Sequence, residues 1–275
     1  MHALHARLPK NFVLEERLER YSSAIELCPQ SLAGRWREAC QPLGDGARFG
    51  RLVLDLGCGK GGFAAESARR EPGTLFVGID AEPICIAYAA QKAVEGGLDN
   101  LVLVGGQGSA VRSYFAPGEV SRVILNFPTP FPKKKEASQR LTHLNQLLIY
   151  RDILDPEGSV LFKTDSQPLF DFSLTQFELA GFNVVWQSSD ARAERPGDPM
   201  SWYEERLSKQ GATVYALEAR LGGAPARETD GSVAQTAELS LAEYLPQDLS
   251  QLSYVPHGMQ GTVTNLRNWR LRHDA

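Results

Sequence analysis

The segment Leu52–Gly62 combines an apolar run, an acidic residue and closely spaced glycines. The apolar run leads into Asp55, and Gly57, Gly59 and Gly62 then follow the spacing G-x-G-x-x-G. This order predicts a β-strand, a tight turn and the start of a helix, whose free N–H groups can face a bound ligand. A βα turn that binds no ligand can carry the same glycines. The glycines alone therefore do not identify a cofactor site, and the neighbouring acidic residues have to be considered with them.

Asp55 indicates which cofactor this turn suits. The pyrophosphate of a dinucleotide needs N–H donors without a nearby negative charge, and Asp55 lies two residues before the first glycine. Its carboxylate instead suits the cationic ammonium group of S-adenosylmethionine, directly or through water. Asp80 ends the next predicted strand, where it can accept hydrogen bonds from both ribose hydroxyls, worth about 1.5–3 kcal/mol each. Because NAD carries the same hydroxyls, Asp80 indicates a nucleoside cofactor and Asp55 indicates S-adenosylmethionine.

The elements that must position these residues follow from the hydrophobic pattern. Short apolar runs alternate with amphipathic segments of helical length from residue 51 to about residue 187, as in βαβ units. The predicted strands are 51–56, 74–79, 101–104, 121–126, 158–163, 182–187 and 213–219. The predicted helices are 62–70, 83–95, 138–153 and 168–180. The expected fold is α/β, a Rossmann-like class I methyltransferase fold with a mostly parallel seven-stranded sheet and helices on both faces.

Three regions are predicted along the chain. Residues 1–50 form a helical or irregular extension, residues 51–220 form the S-adenosylmethionine-dependent methyltransferase domain, and residues 221–275 form a partly linker-like C-terminal extension. Residues 222–250 carry one basic and five acidic residues, a balance of −4 that equals the net charge of the whole chain. The rest of the chain is therefore neutral overall, and any basic surface must come from local clusters.

The composition predicts a cytoplasmic protein without a metal site or a membrane span. The apolar runs are far shorter than the roughly 20 residues that span a bilayer, and the first residues lack the apolar core of a secretion signal. The four cysteines have no C-x-x-C pair and no histidine at ligand spacing, which indicates reduced thiols. They are Cys28, Cys40, Cys58 and Cys85.

The loop after the fourth predicted strand, Leu125–Lys135, is expected to hold the methyl acceptor. Loops that follow parallel strands lie at the carboxyl edge of the sheet, beside the cofactor. Three prolines stiffen this one, which suits a wall that holds a flat acceptor against a methyl donor.

Four segments of the chain match sequence motifs of one protein family, and they occur in the same order as in that family. They are Asn126–Lys133, Arg140–His143, Phe162–Asp165 and Ser201–Glu204. Together they resemble the bacterial tRNA (guanine-N7)-methyltransferase family, and the resemblance extends over about residues 50–220. It implies that the chain forms 7-methylguanine in tRNA with S-adenosylmethionine as the methyl donor.

The resemblance also implies which residues bind each ligand. The expected cofactor residues are Asp55, Gly57, Gly59, Gly61, Asp80, Gln107 and Asn126. The expected guanine and tRNA residues are Lys133, Arg140, Asp165, Ser201 and Glu204. Asn126 and Thr129 are expected to be catalytic.

The chain departs from the family pattern in its acceptor loop. Thr129 and Phe131 replace the Asp and Trp of the family's D-P-W triplet, and Gln107 replaces an acid near the adenine. The family's basic R-H-x-K-R-R run has lost several cations in Lys135–Arg140. Guanine N7 presents a lone pair and carries no proton, so its methylation needs in-line approach more than a general base. Thr129 can therefore keep one neutral hydrogen bond to the acceptor where the family has a charged one.

The sequence leaves three functional hypotheses. The first is a tRNA methyltransferase, the second is a methyltransferase for a ring nitrogen of a small purine-like or other heteroaromatic metabolite, and the third is a non-catalytic tRNA-binding module. Lys133–Lys135 is either a solvated loop face or an RNA contact, and His143 is expected to pack or to cap a helix. Asn265–Arg272 is either a basic-aromatic RNA contact or a terminal helix on the core.

Overall fold

The computed structural model describes residues 12–39, 49–252 and 254–273. The strands within them are β1 Arg51–Leu56, β2 Thr74–Asp80, β3 Leu101–Gly105, β4 Val120–Asn126, β5 Leu154–Thr164, β6 Phe182–Ser188 and β7 Tyr215–Leu221. They form one seven-stranded sheet in the order β3-β2-β1-β4-β5-β7-β6. β7 is antiparallel to both of its neighbours, and the other pairs are parallel. The predicted α/β fold with a mostly parallel sheet is confirmed.

The described residues also form ten α-helices. They are α1 Leu14–Arg20, α2 Trp36–Ala39, α3 Gly62–Arg70, α4 Pro83–Glu95, α5 Val111–Tyr114, α6 Leu144–Ile153, α7 Gln167–Leu179, α8 Ala191–Glu194, α9 Trp202–Lys209 and α10 Gln260–His273. Short 3-10 helices occur at Ser22–Ala24, Pro29–Leu32, Gly108–Ala110, Lys134–Gln139, Leu241–Tyr244 and Leu249–Gln251. α3 and α4 begin and end at the predicted residues.

The parallel strands of the sheet are largely buried on both faces. Leu52 and Leu54 of β1 pack into the core on one face, and Val53 between them packs into the core on the other. Helices exclude water from both faces, which explains why the parallel strands are apolar over most of their length. The polar side chains predicted to bind ligands stand at or just beyond the ends of strands, at the carboxyl edge of the sheet.

The segment 138–153, predicted as one helix, is divided in the structure. Lys134–Gln139 forms a 3-10 helix, and α6 begins only after His143. Between them Arg140 has an extended backbone, with its side chain turned back to the acceptor loop, so the helix cannot run through this residue. His143 caps α6, because its Nδ1 accepts a 3.2 Å hydrogen bond from the N–H of Asn145.

The described part of the N-terminal extension lies along the outside of the sheet. α1 packs on α4, where Arg17 donates a 2.7 Å hydrogen bond to Gln91 and the hydroxyl of Tyr21 donates one of 2.7 Å to Glu95. Trp36 of α2 is fully buried in the main core. This extension therefore supports α4, which follows β2, and α5, which follows β3.

The C-terminal extension packs against α7 and the acceptor loop. Its first part, predicted to be partly linker-like, is held at the end of α7 by a 2.9 Å hydrogen bond from the N–H of Ala226 to the carbonyl of Leu179. Leu241 is fully buried, and its N–H donates a 2.9 Å hydrogen bond to the carbonyl of Pro132 in the acceptor loop. Met259 is also fully buried in the main core. The extension thus forms part of the packed structure.

Candidate functional site

The turn after β1 is built from glycines in the left-handed region. Gly57, Gly59 and Gly61 have φ angles of 78°, 54° and 69°, values at which a Cβ is strained. A Cβ built on Gly61 would also lie 2.6 Å from the Cβ of Ala89 on α4. The glycines let the backbone turn sharply and bring α3 against α4. The free N–H groups of the first turn of α3 consequently lie at the carboxyl edge of the sheet.

Asp55, near the carboxyl end of β1, has a buried and unpaired carboxylate. The residue is 1% exposed, and neither carboxylate oxygen has a hydrogen-bond partner among the described residues. Burial, and secondarily the negative charge of Asp80, raise the pKa of Asp55 to about 7. Because an uncompensated buried carboxylate is costly, a cationic group that approaches it is stabilised.

Asp80 ends β2 and braces the glycine turn. Its Oδ2 accepts a 2.8 Å hydrogen bond from the N–H of Gly59, and its Oδ1 accepts one of 2.9 Å from the N–H of Glu82. Each oxygen keeps a further lone pair, so the carboxylate can still accept ribose hydroxyls. Gln107 is exposed in the loop after β3, whose last residue, Gly105, pairs with Asp80 in the sheet. The residues predicted at the ends of β1, β2 and β3 thus lie close together.

The side chains at this edge fit S-adenosylmethionine. The unpaired carboxylate of Asp55 complements an ammonium group, and Asp80 supplies an acceptor suited to a ribose. The three glycines leave room for a ligand to approach the backbone. The buried carboxylate of Asp55 also opposes a pyrophosphate, as the sequence predicts.

The loop after β4 carries Asn126 and Thr129. Asn126 ends β4, and neither polar atom of its side-chain amide, both of them buried, has a partner within the described part of the chain. Phe127 and Phe131, on either side of Thr129, have φ angles of 51° and 44°. Such angles in residues other than glycine cost of the order of 1–3 kcal/mol each. The loop therefore has a strained shape, in which Thr129 is exposed between the two phenylalanines.

The guanidinium of Arg140 holds this loop from its buried side. Its Nε donates a 3.1 Å hydrogen bond to the carbonyl of Pro130, and its Nη2 donates one of 2.8 Å to the carbonyl of Phe131. It also lies 4.3 Å from the ring centre of Phe172 on α7. The residue is 1% exposed, and burial lowers its pKa to about 10. These contacts position the strained loop, and the expected contact of Arg140 with substrate stays a prediction.

Asp165 directly follows β5 and meets the C-terminal extension. The hydroxyl of Tyr254 donates a 2.6 Å hydrogen bond to its Oδ2, and Tyr203 and His257 also interact with this carboxylate. Burial raises the pKa of Asp165, and the hydrogen bond from Tyr254 acts in the opposite direction. Sequence reasoning missed Tyr254, because it stands 89 residues from Asp165 in the chain and in no recognised motif.

Ser201 and Glu204 stand at the start of α9, in roles that the sequence did not predict. Oγ of Ser201 accepts a 3.0 Å hydrogen bond from the N–H of Glu204 and so caps the helix. Glu204 is 1% exposed and pairs with Arg192, with Nζ of the buried Lys163 3.8 Å away. Both residues were expected at the acceptor, and their described contacts are structural. Lys163 and Arg192 were not assigned, although Lys163 lies within the Phe162–Asp165 motif.

Lys133 lies on the outer side of the acceptor loop. It is exposed, and its Nζ is 3.8 Å from Oε1 of Glu136. Lys134 and Lys135 are exposed as well. This geometry leaves the ammonium groups of the three lysines accessible to a phosphate.

Metal-ligand groups and membrane-spanning helices were searched for in the described residues. No group of three or more histidine, cysteine, aspartate and glutamate side chains there could hold a metal ion. Cys28, Cys58 and Cys85 are free thiols, and Cys40 lies outside the described ranges. None of the helices in the described ranges has the length and apolar character needed to cross a bilayer.

Four polar side chains mark the two halves of the site. Asp55 and Asp80 stand at the ends of β1 and β2, and Asn126 stands at the end of the adjacent β4. Asn126 pairs in register with Lys163 of β5, so Asp165 comes two residues beyond that level. The predicted cofactor residues and the predicted acceptor residues are therefore on neighbouring strands of one edge, the place where ligands bind in such sheets.

Comparison with known proteins agrees with this arrangement. Residues 50–217 match a family model described as "Putative methyltransferase". A tRNA (guanine-N(7)-)-methyltransferase of Streptococcus uberis is 34% identical over 218 residues, which cover 78% of this chain and 99% of the relative. The enzyme of the same name from Enterococcus faecalis is 36% identical over 210 residues, 74% of this chain and 94% of the relative.

A solved structure supports the fold. The crystal structure of the 16S rRNA methyltransferase KamB has a TM-score of 0.50 and 20% identity, covering 64% of this chain and 89% of that chain. At this identity the likeness is informative about architecture alone. The methyltransferase family to which the sequence relatives belong implies that the chain uses S-adenosylmethionine.

Proposed function

The chain belongs to the tRNA (guanine-N7)-methyltransferase family, and we propose that it methylates N7 of a guanine in tRNA with S-adenosylmethionine as the donor. The observation that supports this most is the meeting of the two predicted sets of residues at neighbouring strand ends. Asp55 and Asp80 form the cofactor half, and Asn126 and Asp165 form the acceptor half. We place this reaction in the cytoplasm, where tRNA is available.

On the cofactor half, Asp55 binds the ammonium end and Asp80 binds the ribose. When bound, S-adenosylmethionine supplies an electrophilic methyl group on a positively charged sulfur. The glycine turn lets the cofactor approach the backbone, and the exposed Gln107 lies where it can contact the adenine. Asn126, whose amide has no partner among the described residues, is available to both the cofactor and the acceptor.

On the acceptor half, the chain positions guanine and does not need to deprotonate it. N7 already carries a lone pair, so the rate depends on holding that atom in line with the methyl group. The ionised carboxylate of Asp165 is suited to accept the N–H donors on the Watson–Crick edge of guanine. Thr129 adds one neutral hydrogen bond, and Arg140 keeps the backbone of the loop in place. Lys133 is exposed for a phosphate contact.

The test is direct detection of the product. Purified protein is incubated with S-adenosylmethionine and an unmodified tRNA transcript, and nucleosides from the digested RNA are analysed by mass spectrometry. We expect 7-methylguanosine that depends on both enzyme and cofactor and is lost in Asp55→Ala. No product, together with no binding to tRNA, would contradict the proposal.

One observation favours a second candidate, a small heteroaromatic acceptor. The extension reaches the acceptor half through the contact between Tyr254 and Asp165, and so narrows access to this carboxylate. Methyl transfer to free purines or similar heteroaromatics, with no product on tRNA, would favour this candidate. Methylation of tRNA without methylation of any free heteroaromatic compound would exclude the small-molecule candidate.

A further inference from the structure

The C-terminal helix α10 is basic and has no acidic residue. Its cationic residues are Arg267, Arg270 and Arg272, with His273 at its end. It lies outside residues 50–217, the part of the chain that matches the family model, so no family motif gives it a role. We propose that α10 is an RNA-binding surface for the phosphates of the tRNA whose guanine enters the acceptor half. This inference rests on the proposed function and adds a contact region to it.

The segment that leads into α10 is anchored at the acceptor half. Tyr254 donates its hydrogen bond to Asp165, and a Cβ built on Gly258 would lie 3.1 Å from Cγ of Pro130 in the acceptor loop. Met259, the residue before the helix, is fully buried. α10 therefore starts beside the acceptor loop, and its 14 residues extend over about 21 Å at 1.5 Å per residue.

Two of the arginines fix the orientation of the helix. Arg267 donates a 3.1 Å hydrogen bond to the carbonyl of Leu249, and Arg270 donates to the carbonyls of Pro246 and Gln247. These contacts tie α10 to the preceding turns of the extension. The surface is consequently ordered before RNA arrives, which reduces the entropy lost on binding.

The outer face of α10 combines cations with aromatic rings. Trp269 is 56% exposed, and its ring stacks on that of His273 with centres 4.4 Å apart and planes at 19°. Arg272 is exposed on the same helix. Cations that contact the backbone beside aromatic planes on which bases stack are the usual means of binding unpaired RNA. The charge and the chemistry of this face both complement a polyanion with exposed bases.

The acceptor loop alone offers few cations for tRNA. In Lys135–Arg140 the family's basic run is reduced, Glu136 adds a negative charge, and Arg140 is buried behind the loop. The whole chain has a net charge of −4, so it has no general attraction for RNA. Affinity for tRNA, which depends mainly on neutralised phosphates, therefore requires a further local source of positive charge. α10 provides one beside the acceptor half.

The experiment measures tRNA binding by fluorescence anisotropy at several salt concentrations. The variants are Arg272→Gln, which removes one cation, and Trp269→Ala, which removes the exposed aromatic plane. We expect the Kd for an unmodified tRNA transcript to rise about fivefold in each and more than tenfold in the double variant. The slope of log Kd against log salt should fall by about 0.7–0.9 in Arg272→Gln, as for one lost phosphate contact.

The matched control is Arg69→Gln. Arg69 is an exposed arginine at the end of α3, at the edge of the sheet opposite the site, and its substitution changes the net charge by the same amount. We expect its Kd and salt slope for tRNA to equal those of the wild type. The Kd for S-adenosylhomocysteine, measured by calorimetry, should be unchanged in all variants, which shows that the fold is intact.

Each outcome separates this inference from the proposed function. If the wild type methylates tRNA and the α10 variants keep its Kd, salt slope and KM, the inference is overturned and the proposed function stands. If the wild type binds tRNA through α10 without forming 7-methylguanosine, the inference stands and the proposed function fails. A loss of affinity equal to that of Arg69→Gln reflects net charge only and also overturns the inference.

Discussion

The cofactor half and the acceptor half of the site are assembled in different ways. The cofactor half depends on a single local turn, in which Asp55 and the glycines are neighbours in sequence, and on Asp80 from the next strand. The acceptor half brings together distant segments: Tyr254 contacts Asp165 across 89 residues, and Arg140 reaches back to the loop. The residues of the cofactor half can therefore be predicted from local sequence, whereas the contacts that shape the acceptor half form only when distant segments pack together.

The largest effect is expected for Asp55→Asn, which should weaken cofactor binding and leave tRNA binding nearly unchanged. In Asp55→Asn the buried carboxylate is replaced by a neutral group of the same shape, so the ammonium end of the cofactor loses a charged partner. We expect the Kd for S-adenosylhomocysteine, measured by calorimetry, to rise about 100-fold. The affinity for tRNA should change less than twofold, and an equal loss of both affinities would mean that the two halves are not separate.

The pH dependence of cofactor affinity gives the next effect. The pKa of Asp55 is raised to about 7, first by burial and then by Asp80, and a bound cation favours the carboxylate form. Below pH 7 binding therefore releases a proton, and affinity should rise about tenfold per pH unit up to pH 7 and then level off.

Calorimetry at pH 6 in two buffers of different ionisation heat measures the released proton directly. Asp55→Asn serves as the control, because it has no proton to release at this position. An equal pH dependence in wild type and variant would show that Asp55 is not the titrating group.

The third prediction concerns the acceptor half and compares protein stability with activity in the variant Arg140→Lys. The substitution Arg140→Lys keeps the positive charge but removes the guanidinium group, which donates hydrogen bonds to the carbonyls of both Pro130 and Phe131. We expect a loss of about 2 kcal/mol in the free energy of unfolding by urea and about a tenfold fall in kcat/KM for tRNA. Cofactor affinity should be unchanged.

Arg151→Lys is the matched control for Arg140→Lys. Arg151 is half-buried, donates a 2.8 Å hydrogen bond to the carbonyl of Gly181 and, like Arg140, lies near an aromatic ring, that of Phe182. It makes these contacts on α6, away from the acceptor loop. A comparable fall in kcat/KM in this variant would show that the effect is general destabilisation.

Tyr254→Phe tests whether the extension acts on the acceptor half. The hydroxyl lowers the pKa of Asp165 against the effect of burial, so its removal should raise that pKa further. We expect the acidic limb of kcat/KM for tRNA to move to higher pH, with about a fivefold loss at pH 6. His257 and Tyr203 also interact with Asp165, and they are unchanged in this variant.

Tyr244→Phe removes a hydroxyl from the same extension at a different place. This hydroxyl donates a 3.1 Å hydrogen bond to the carbonyl of Glu238, and we expect the pH profile to stay that of the wild type. A shift of the same size in both variants would assign the effect to packing of the extension.

The smallest expected effect concerns Thr129. Its hydroxyl provides at most one neutral hydrogen bond to guanine, and N7 has no proton to remove. Thr129→Ala should lower kcat about threefold at saturating tRNA, whereas Thr129→Ser should retain wild-type kcat. A loss of more than 100-fold in Thr129→Ala would make Thr129 essential and contradict the positioning role given to the loop.

Much of the fold was predictable, because local patterns carry it. α3 and α4 have the predicted bounds, since a glycine turn starts one, a proline lies in the first turn of the other, and the apolar strands before them are buried on both faces. The helix predicted over 138–153 was wrong in its first part, because a buried contact of Arg140 with a distant loop overrides local helix propensity. The hydrophobic periodicity of the sequence, from which the helix was predicted, does not reveal such a contact.

The sequence by itself determined the fold class and the glycine turn, and it predicted the cofactor half. Only the tertiary structure decided that Arg140 holds the acceptor loop and that Tyr254 meets Asp165. The physical reason is that strand and turn formation depend on neighbours in the chain, whereas burial and long-range hydrogen bonds depend on which distant segments pack together.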